Sequence, residues 1–309
     1  MRVAGIQETG GEVKLIDVPD PRPLAEDEVL IQVKAAGVAD WDEIVRTGGW
    51  DVGGCSPPMA LGVEAAGTVA AVGREVTDSA VGDEVITHPL PLRDQGTWAP
   101  ELIAPATLLA PKPAGVSWEA AAVFPVPALT AEQVLGETLE VKAGDRLLVN
   151  GAGGVTGGLL VQLGALRGAE VLATAGPRSH ERVTALGARQ AFDYHDEHWP
   201  ERVLAITERS GVSAAVNAAP GGAADAIRAV ADGGRLATIT SDPPGEERGI
   251  TVSSVYVRPD GHQLRRLAQL LANRQLEISV AITYGLRDAA EALSTAVSGR
   301  PGGAVALTL

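Results

Sequence analysis

Glycine clusters where a phosphate group could bind. In the stretch "VNGAGGVTGG" (149–158), Gly151, Gly154 and Gly157 lie three residues apart, between an apolar run and an amphipathic segment. A turn that opens a helix presents free backbone N–H groups and the positive end of the helix dipole to an anion, and glycine allows close approach. The order is G-x-x-G-x-x-G, with Thr156 where the dinucleotide pattern has its third glycine, so a tight turn without a ligand stays an alternative. The strand–helix context favours a pyrophosphate site.

The following segment, "LATAGPRSHER" (172–182), carries a second cofactor signal. An NAD site places an Asp or Glu near the end of the second strand, where it accepts the ribose 2′-OH. Here no carboxylate precedes Glu181, whereas Arg178 and Ser179 could bind a 2′-phosphate. Charge-assisted hydrogen bonds from Arg178 would favour NADPH over NADH by roughly 10- to 100-fold. The alternative is that Arg178 is a solvated arginine at a helix start.

Composition limits the function classes. The 309 residues, 45% of them apolar, can fill the cores of two domains. The net charge of −14 disfavours nucleic acid and anionic membrane surfaces as partners. We find no apolar run of transmembrane length and no secretory signal pattern, which predicts a cytoplasmic protein. The single cysteine, Cys55, excludes an intrachain disulfide and a multi-cysteine zinc site.

The element pattern changes along the chain. Up to about residue 110, short alternating strands separated by Pro, Gly and Asp predict a small antiparallel barrel. From Ser117, a predicted N-cap, strands and helices alternate, which predicts a parallel sheet covered by helices. We predict a helix over 223–234 and a strand over 235–240 in this series. The last block, a helix, a strand, a helix and the strand "AVALTL", could extend this sheet or return to the barrel.

Several ordered motifs carry a family resemblance. They are "AAGVADWDEIVRTGGW", "PPMALGVEAAGTVAAVGREVTDSAVGDEVI", "GDRLLVNGAGGVTGGLLVQLGALRGAEVLATAGP" and "GGRLATIT". Together they resemble the medium-chain dehydrogenase/reductase superfamily, in particular its zinc-independent quinone oxidoreductases (the zeta-crystallin-like branch). The resemblance spans essentially the whole chain. It implies an α/β protein with a GroES-like β-barrel domain over 1–116 and 260–309 and a Rossmann NADP-binding domain over 117–259. It also implies NADP(H) as cofactor and a homodimer.

Zinc is not supported by the motifs. Zinc-dependent relatives have Cys and His where this chain has Ala39 and Val63, and only Glu64 of that set is kept. A different set, of Asp42, Cys55, Glu64 and His88, lacks metal-ligand spacing, so we predict no metal and take His88 as an ordinary loop histidine.

The resemblance also implies which residues surround the cofactor and the substrate. In the reductase branch Asn commonly stands at the position of Ala39 and Tyr at that of Trp50, so both changes remove polar atoms from the substrate pocket. Asp42 matches the family, although pairing with Arg46 to structure the loop is the alternative role. Thr130 falls beside the nicotinamide and is, with Asp42, a weak catalytic candidate. The predicted substrate pocket contains Ala39, Trp41, Asp42 and Trp50. The predicted cofactor-binding residues are Gly151, Ala152, Gly153, Gly154, Val155, Thr156, Gly157, Arg178, Ser179, Tyr194, Asn217, Ala218, Thr240 and Thr130.

These observations predict an NADPH-dependent, zinc-independent oxidoreductase that transfers hydride to a quinone or an α,β-unsaturated ketone. The cofactor carries the chemistry, while the protein orients it and excludes water. Two alternatives stay open. One is a non-catalytic NADPH-binding sensor or scaffold of the same fold, and the other is an enoyl reductase that tailors a biosynthetic intermediate.

Overall fold

The computed structural model describes residues 1–299 and 302–309. In chain order, the strands of these residues are β1 (Arg2–Ile6), β2 (Lys14–Asp17), β3 (Glu28–Val38), β4 (Met59–Ala60), β5 (Ala65–Val72), β6 (Glu84–Thr87), β7 (Glu101–Pro105), β8 (Leu109–Pro111), β9 (Arg146–Asn150), β10 (Glu170–Ala175), β11 (Gln190–Asp193), β12 (Val212–Asn217), β13 (Val230–Thr238), β14 (Thr251–Ser254), β15 (Val280–Gly285) and β16 (Ala304–Thr308). The helices are α1 (Asp40–Arg46), α2 (Trp118–Ala122), α3 (Pro125–Gln133), α4 (Val155–Leu166), α5 (His180–Ala185), α6 (Trp199–Ile206), α7 (Ala223–Ala226), α8 (Gly261–Ala272) and α9 (Ala289–Val297).

One compact unit consists of residues 1–129 and 258–309. Its larger sheet has the order β15-β16-β3-β5-β6-β8, with β7 also paired to β3, and a smaller sheet has the order β2-β1-β4. Alternate residues of β3, Val29, Ile31 and Val33, point into an apolar core, as their period of two predicts. Strand β16 pairs antiparallel with β3, Val305 opposite Val38. The C-terminal segment therefore returns to this unit, as the resemblance implied.

The second compact unit consists of residues 130–257. Its six strands are all parallel and have the order β11-β10-β9-β12-β13-β14, with an apolar cluster around Leu148, Leu172 and Leu236. This is the doubly wound order 3-2-1-4-5-6, which reverses between β9 and β12. Ligands of such sheets bind outside the carboxyl ends of the strands at the point of reversal. The α/β fold class predicted from the sequence is confirmed.

The predicted helix over 223–234 is wrong in its second half. Helix α7 ends at Ala226, a short 3₁₀ turn follows, and β13 begins at Val230. Val230 pairs with Val212 of β12 and is fully buried. Gly233 has a φ of +72°, which a helix does not contain. Sheet pairing therefore overrides the apolar periodicity that favoured a helix.

The predicted domain boundaries differ from the compact units in the region of α2 and α3. Helix α2 packs on β3 and β5 of the first unit, and the Ser117 hydroxyl accepts a hydrogen bond from the Ala120 N–H at 3.2 Å, which confirms that residue as the N-cap. The functional roles assigned to the two domains stay predictions.

Candidate cofactor and substrate sites

The glycine turn joins β9 to α4 in the second unit. Gly151 has a φ of +90°, and a Cβ at Gly157 would lie 2.2 Å from the Gly151 carbonyl oxygen. Glycine at these two positions therefore allows the turn and the close packing of the helix start. Gly154 differs, because a Cβ there would meet only the Gly151 oxygen, at 3.6 Å. The space beside Gly154 is open.

Helix α4 begins without a side-chain cap. Gly154 is its N-cap, and no side chain accepts a hydrogen bond there. The first-turn N–H groups of Val155, Thr156 and Gly157 have no acceptor within the helix. Val155 and Thr156 are half-buried and Gly154 is exposed, so an anion can reach this helix end. Open space, free donors and the helix dipole fit the pyrophosphate of a dinucleotide.

The residues predicted for a 2′-phosphate lie at the carboxyl ends of β10 and β11. Arg178 is exposed and forms no ion pair within the described residues. Ser179 Oγ lies 3.5 Å from the point that a Cβ atom would occupy if Gly153 were replaced by a larger residue. Tyr194 is 54% exposed, and its Cε1 lies 3.5 Å from the Cβ position of Gly176. Ser179 thus lies beside the glycine turn, while Tyr194 lies beside Gly176 at the end of β10. Their contact with a phosphate stays a prediction.

Arg182 was missed by the sequence analysis. Its guanidinium donates a hydrogen bond of 2.6 Å to the carbonyl oxygen of Gly153. It therefore adds a cation beside the glycine turn. No local signal in the sequence marked this residue, because its contact with Gly153 forms only on folding.

Asparagines flank the point where the strand order reverses. Asn150 ends β9 and Asn217 ends β12, and Asn150 Nδ2 donates to Asn217 Oδ1 at 2.8 Å. Both residues are buried. Ala218 donates its N–H to the Asn150 carbonyl oxygen, and Ala152 donates to that of Thr174. The predicted cofactor residues Asn217, Ala218 and Ala152 thus lie together at the carboxyl edge of the sheet.

Asp42 in the first unit is completely buried. Its Oδ2 accepts the Ala39 N–H at 2.9 Å at the start of α1, while Oδ1 has no hydrogen-bond partner. Burial raises the pKa of Asp42 well above its usual range. The predicted pairing of Asp42 with Arg46 is wrong, because Arg46 pairs with Glu43 and donates to the carbonyl oxygens of Gly10 and Gly11.

Two further buried groups lie next to strands of the same unit, Glu64 before β5 and His88 after β6. Glu64 Oε2 accepts the Val126 N–H at 2.8 Å, and burial raises the pKa of Glu64 well above its usual range. His88 lies in the loop after β6, as predicted, but it is only 1% exposed, so the interpretation as an ordinary histidine is wrong. The His88 Nδ1 lies 2.7 Å from the Val63 carbonyl oxygen, while Nε2 has no partner. Burial lowers the pKa of His88 to about 4, so the ring is neutral at pH 7, with Nδ1 as donor and Nε2 as acceptor.

The tryptophans predicted for the substrate pocket are half-buried. Trp41 Nε1 is buried without an acceptor, and the Trp50 ring lies 6.4 Å from the His88 ring, centroid to centroid. Ala39 is the N-cap of α1 and Thr130 is a buried residue of α3. The first unit therefore holds an unpaired donor at Trp41 and an unpaired acceptor at His88.

No group of three or more His, Cys, Asp or Glu side chains within residues 1–299 and 302–309 is arranged to hold a metal ion. Across the same residues, none of the helices has the length and apolar character needed to cross a bilayer.

The doubly wound sheet and its glycine turn define the class of a dinucleotide-binding fold. The family of alcohol dehydrogenase GroES-like domains matches residues 25–114, and the family of zinc-binding dehydrogenases matches residues 186–307. The chain belongs to the medium-chain dehydrogenase/reductase superfamily, in its zinc-independent quinone oxidoreductase-like branch.

Among curated proteins, the chain is similar to a phenolphthiocerol synthesis polyketide synthase type I, Pks15/1, of Mycobacterium bovis. The two are 31% identical over 308 residues, which cover 93% of this chain and 14% of the synthase. The chain thus spans about a seventh of that relative's length.

Solved structures of similar fold cover the whole chain. The structure of an NAD-dependent alcohol dehydrogenase is 29% identical, with a TM-score of 0.88, and covers 100% of both chains. The quinone oxidoreductase of Coxiella burnetii is 25% identical, with a TM-score of 0.86, covering 100% of this chain and 98% of that one. A mycobacterial protein complexed with NADPH is 28% identical, with a TM-score of 0.86 and 100% coverage of both.

Proposed function

We propose that this protein is an NADPH-dependent reductase of quinones or α,β-unsaturated ketones that works without zinc. The observation that carries the proposal is the open, uncapped start of α4 beside a second-strand loop that offers Arg178 and no carboxylate. The similar quinone oxidoreductase of Coxiella burnetii supports the substrate class. As in the family it belongs to, we infer that the protein acts as a homodimer.

The cofactor preference rests on the charges around the glycine turn. A 2′-phosphate carries charge that NADH lacks. The Arg182 guanidinium donates to Gly153 of this turn, and Arg178 lies exposed in the loop after β10. The similar structures differ in their cofactor: one is of an NAD-dependent enzyme, and another contains NADPH. Our proposal that the cofactor is NADPH therefore rests on these two arginines.

The residues of the first unit suggest how the substrate oxygen is held. When bound, the reduced nicotinamide supplies a hydride, and charge develops on the carbonyl oxygen of an enone or quinone. The Trp41 indole N–H is a buried donor without an acceptor, which suits such an oxygen. Neutral His88 presents a lone pair at Nε2, so it accepts a hydrogen bond and is not the proton donor. We propose water as the source of the proton.

A second candidate is the reduction of an enoyl intermediate in a biosynthetic pathway. The similarity to polyketide synthases favours it. The two candidates share the cofactor and differ in the acceptor, since an enoyl substrate is a carbon–carbon double bond conjugated to a thioester.

A fluorescence titration with NADPH and then NADH, followed by addition of benzoquinone, naphthoquinones, simple enones and an enoyl thioester, tests the proposal. Tight NADPH binding and oxidation by quinones or enones would support it. Turnover of the thioester alone would favour the second candidate. NADPH binding without oxidation by any acceptor would leave a binding protein without reductase activity, and the absence of binding would refute the proposal.

The variant Arg178→Ala tests the cofactor preference. We expect the ratio of NADPH to NADH affinity to fall roughly 10- to 100-fold, because a charge-assisted hydrogen bond to the 2′-phosphate is lost. Arg265→Ala is the control, since Arg265 is also exposed and lies on α8 in the other unit. An unchanged ratio in Arg178→Ala would show that Arg178 is only a solvated surface residue.

A further inference from the structure

Asp242 belongs to a polar network at the carboxyl edge of the parallel sheet. It follows β13, and its Oδ1 accepts hydrogen bonds from Thr238 Oγ1 at 2.5 Å and from Thr240 Oγ1 at 2.6 Å. The Asn217 amide nitrogen, at the end of β12, lies 3.1 Å from the same oxygen. Thr238 is buried and Thr240 is half-buried, so the carboxylate is fixed against the sheet.

The network reaches the glycine turn. Asn217 Oδ1 accepts from Asn150 Nδ2, and Asn150 Oδ1 accepts from Thr174 Oγ1. Thr174 Oγ1 in turn accepts the Gly151 N–H at 3.0 Å. A continuous series of side-chain hydrogen bonds thus joins the end of β13 to the phosphate-binding turn after β9. Asp242 is the only group in this series with a carboxylate.

The charge of Asp242 is not neutralised by the protein. Partial burial opposes ionisation of Asp242, but hydrogen bonds from Thr238, Thr240, the Ala223 N–H and Asn217 offset it and hold its pKa below the usual range. The carboxylate is therefore ionised at neutral pH. Within residues 1–299 and 302–309, no Lys, Arg or His side chain forms an ion pair with it. A full negative charge thus remains at this edge of the sheet.

The topology places this charge in one half of the dinucleotide site. A doubly wound sheet consists of two mononucleotide-binding halves that meet at the point of reversal. The first half, β9 to β11, contains the glycine turn and the loop that reads the adenosine ribose. Asp242 follows β13 in the second half, which takes the nicotinamide mononucleotide. The oxidised nicotinamide ring carries one more positive charge than the reduced ring.

We propose that the uncompensated carboxylate of Asp242 selects the oxidation state of the bound nicotinamide, favouring NADP⁺ over NADPH. The inference rests on the proposed function, because it requires the dinucleotide in this sheet. Opposite charges attract across a partly desolvated site, whereas the neutral reduced ring gains nothing from the carboxylate. Stabilising the oxidised form makes the bound reduced cofactor a stronger hydride donor. Asp242 is thus a residue that sets the reducing power of the cofactor without a role in proton transfer.

The test is the ratio Kd(NADPH)/Kd(NADP⁺), measured by fluorescence titration of NADPH and by competition with NADP⁺. In Asp242→Asn, which keeps the side-chain shape and removes the charge, we expect the ratio to fall about three- to tenfold. Asp242→Glu, which restores the charge, should keep the wild-type ratio. Asp232→Asn is the matched control, because Asp232 lies in β13 near its start, whereas Asp242 follows the end of that strand, and the Asp232 side chain is 80% exposed.

The outcomes separate this inference from the proposed function. If wild-type protein binds neither cofactor form, the proposed function is refuted and the inference falls with it. If Asp242→Asn weakens both forms equally, the proposed function stands and Asp242 only supports the turn. Should the variant fail to fold, wild-type protein still gives an answer. The wild-type ratio Kd(NADPH)/Kd(NADP⁺) should decrease when the salt concentration is raised from 20 mM to 500 mM, because screening weakens the attraction. A constant ratio would overturn the inference.

Discussion

The buried His88 makes the stability of the fold depend on pH. Burial lowers its pKa from 6.5 to about 4, so between these values the unfolded chain binds more protons than the folded one. The free energy of unfolding therefore rises with pH across this window and falls as the pH drops from 6.5 towards 4. The residue alone accounts for a loss of up to about 3 kcal/mol.

Comparing wild-type protein with His88→Gln isolates this contribution. Urea unfolding at pH 7 and pH 4.5 should show that the stability advantage of wild type over the variant shrinks by about 2–3 kcal/mol at the lower pH. The other titrating groups, including Asp42 and Glu64, are present in both proteins and cancel. His262→Gln serves as the control, since His262 is exposed. An equal advantage at both pH values would contradict the burial of a neutral His88.

Cys55 should react slowly with thiol reagents. Burial raises the pKa of the Cys55 thiol to about 11, and its Sγ donates to the Asp94 carbonyl oxygen at 3.2 Å. At pH 8 only about one molecule in a thousand then carries the reactive thiolate. Titration with Ellman's reagent should therefore be far slower for the folded protein than for protein in denaturant. Equally fast labelling in both conditions would mean that the thiol is neither buried nor shifted.

At the scale of one side chain, the sequence identified part of the candidate site. Gly154 and Arg178 could be named because glycine spacing and the missing acidic residue are local signals. Arg182 and Asp242 could not, because their roles depend on contacts with Gly153 and Asn217, which folding brings close. His88 was misjudged for the same reason, since burial by residues distant in sequence leaves no local pattern.

Substitution of two glycines at the start of α4 should have different effects: one substitution should weaken NADPH binding and the other should lower the stability of the fold. Gly154→Val places its side chain in open space, so the free energy of unfolding should change by less than about 1 kcal/mol while NADPH affinity falls roughly tenfold or more. Gly157→Ala directs a Cβ against the Gly151 carbonyl oxygen and should cost about 1–3 kcal/mol of stability. Urea unfolding and NADPH titration of both variants give the comparison. A Gly154→Val protein with unchanged affinity would remove the phosphate-binding role of the turn.

The helices and strands show where the local sequence pattern is enough to predict an element. Strands β3 and β7 are among the alternating strands predicted before residue 110, because alternation and flanking turn residues define them. The region of α7 and β13 was not, since an apolar run of Ala, Ile and Val suits either a helix or a buried strand. The neighbouring strand β12 decides between them, and its contribution is not visible in the segment itself.

At the scale of the whole molecule, strand–helix alternation predicted the parallel sheet, but periodicity left the destination of the last strand open. Only the family resemblance assigned it to the first unit. The physical reason is that β16 pairs with β3, a strand far from it in the sequence. From the sequence alone, the edge strand of either sheet could have paired with β16. Such long-range pairing depends on the complete fold and not on the strand's own residues.

The C-terminal strand should therefore be essential to the stability of the first unit. Leu307 of β16 is fully buried, so Leu307→Ala should lower the free energy of unfolding by about 2–5 kcal/mol through lost burial and a cavity. Leu166→Ala is the matched control: Leu166, the last residue of α4, is 48% exposed, and we expect a change of less than about 1 kcal/mol. Urea unfolding followed by circular dichroism measures both. If the two substitutions cost the same, β16 does not complete the sheet in solution, and the return of the chain to the first unit would have to be abandoned.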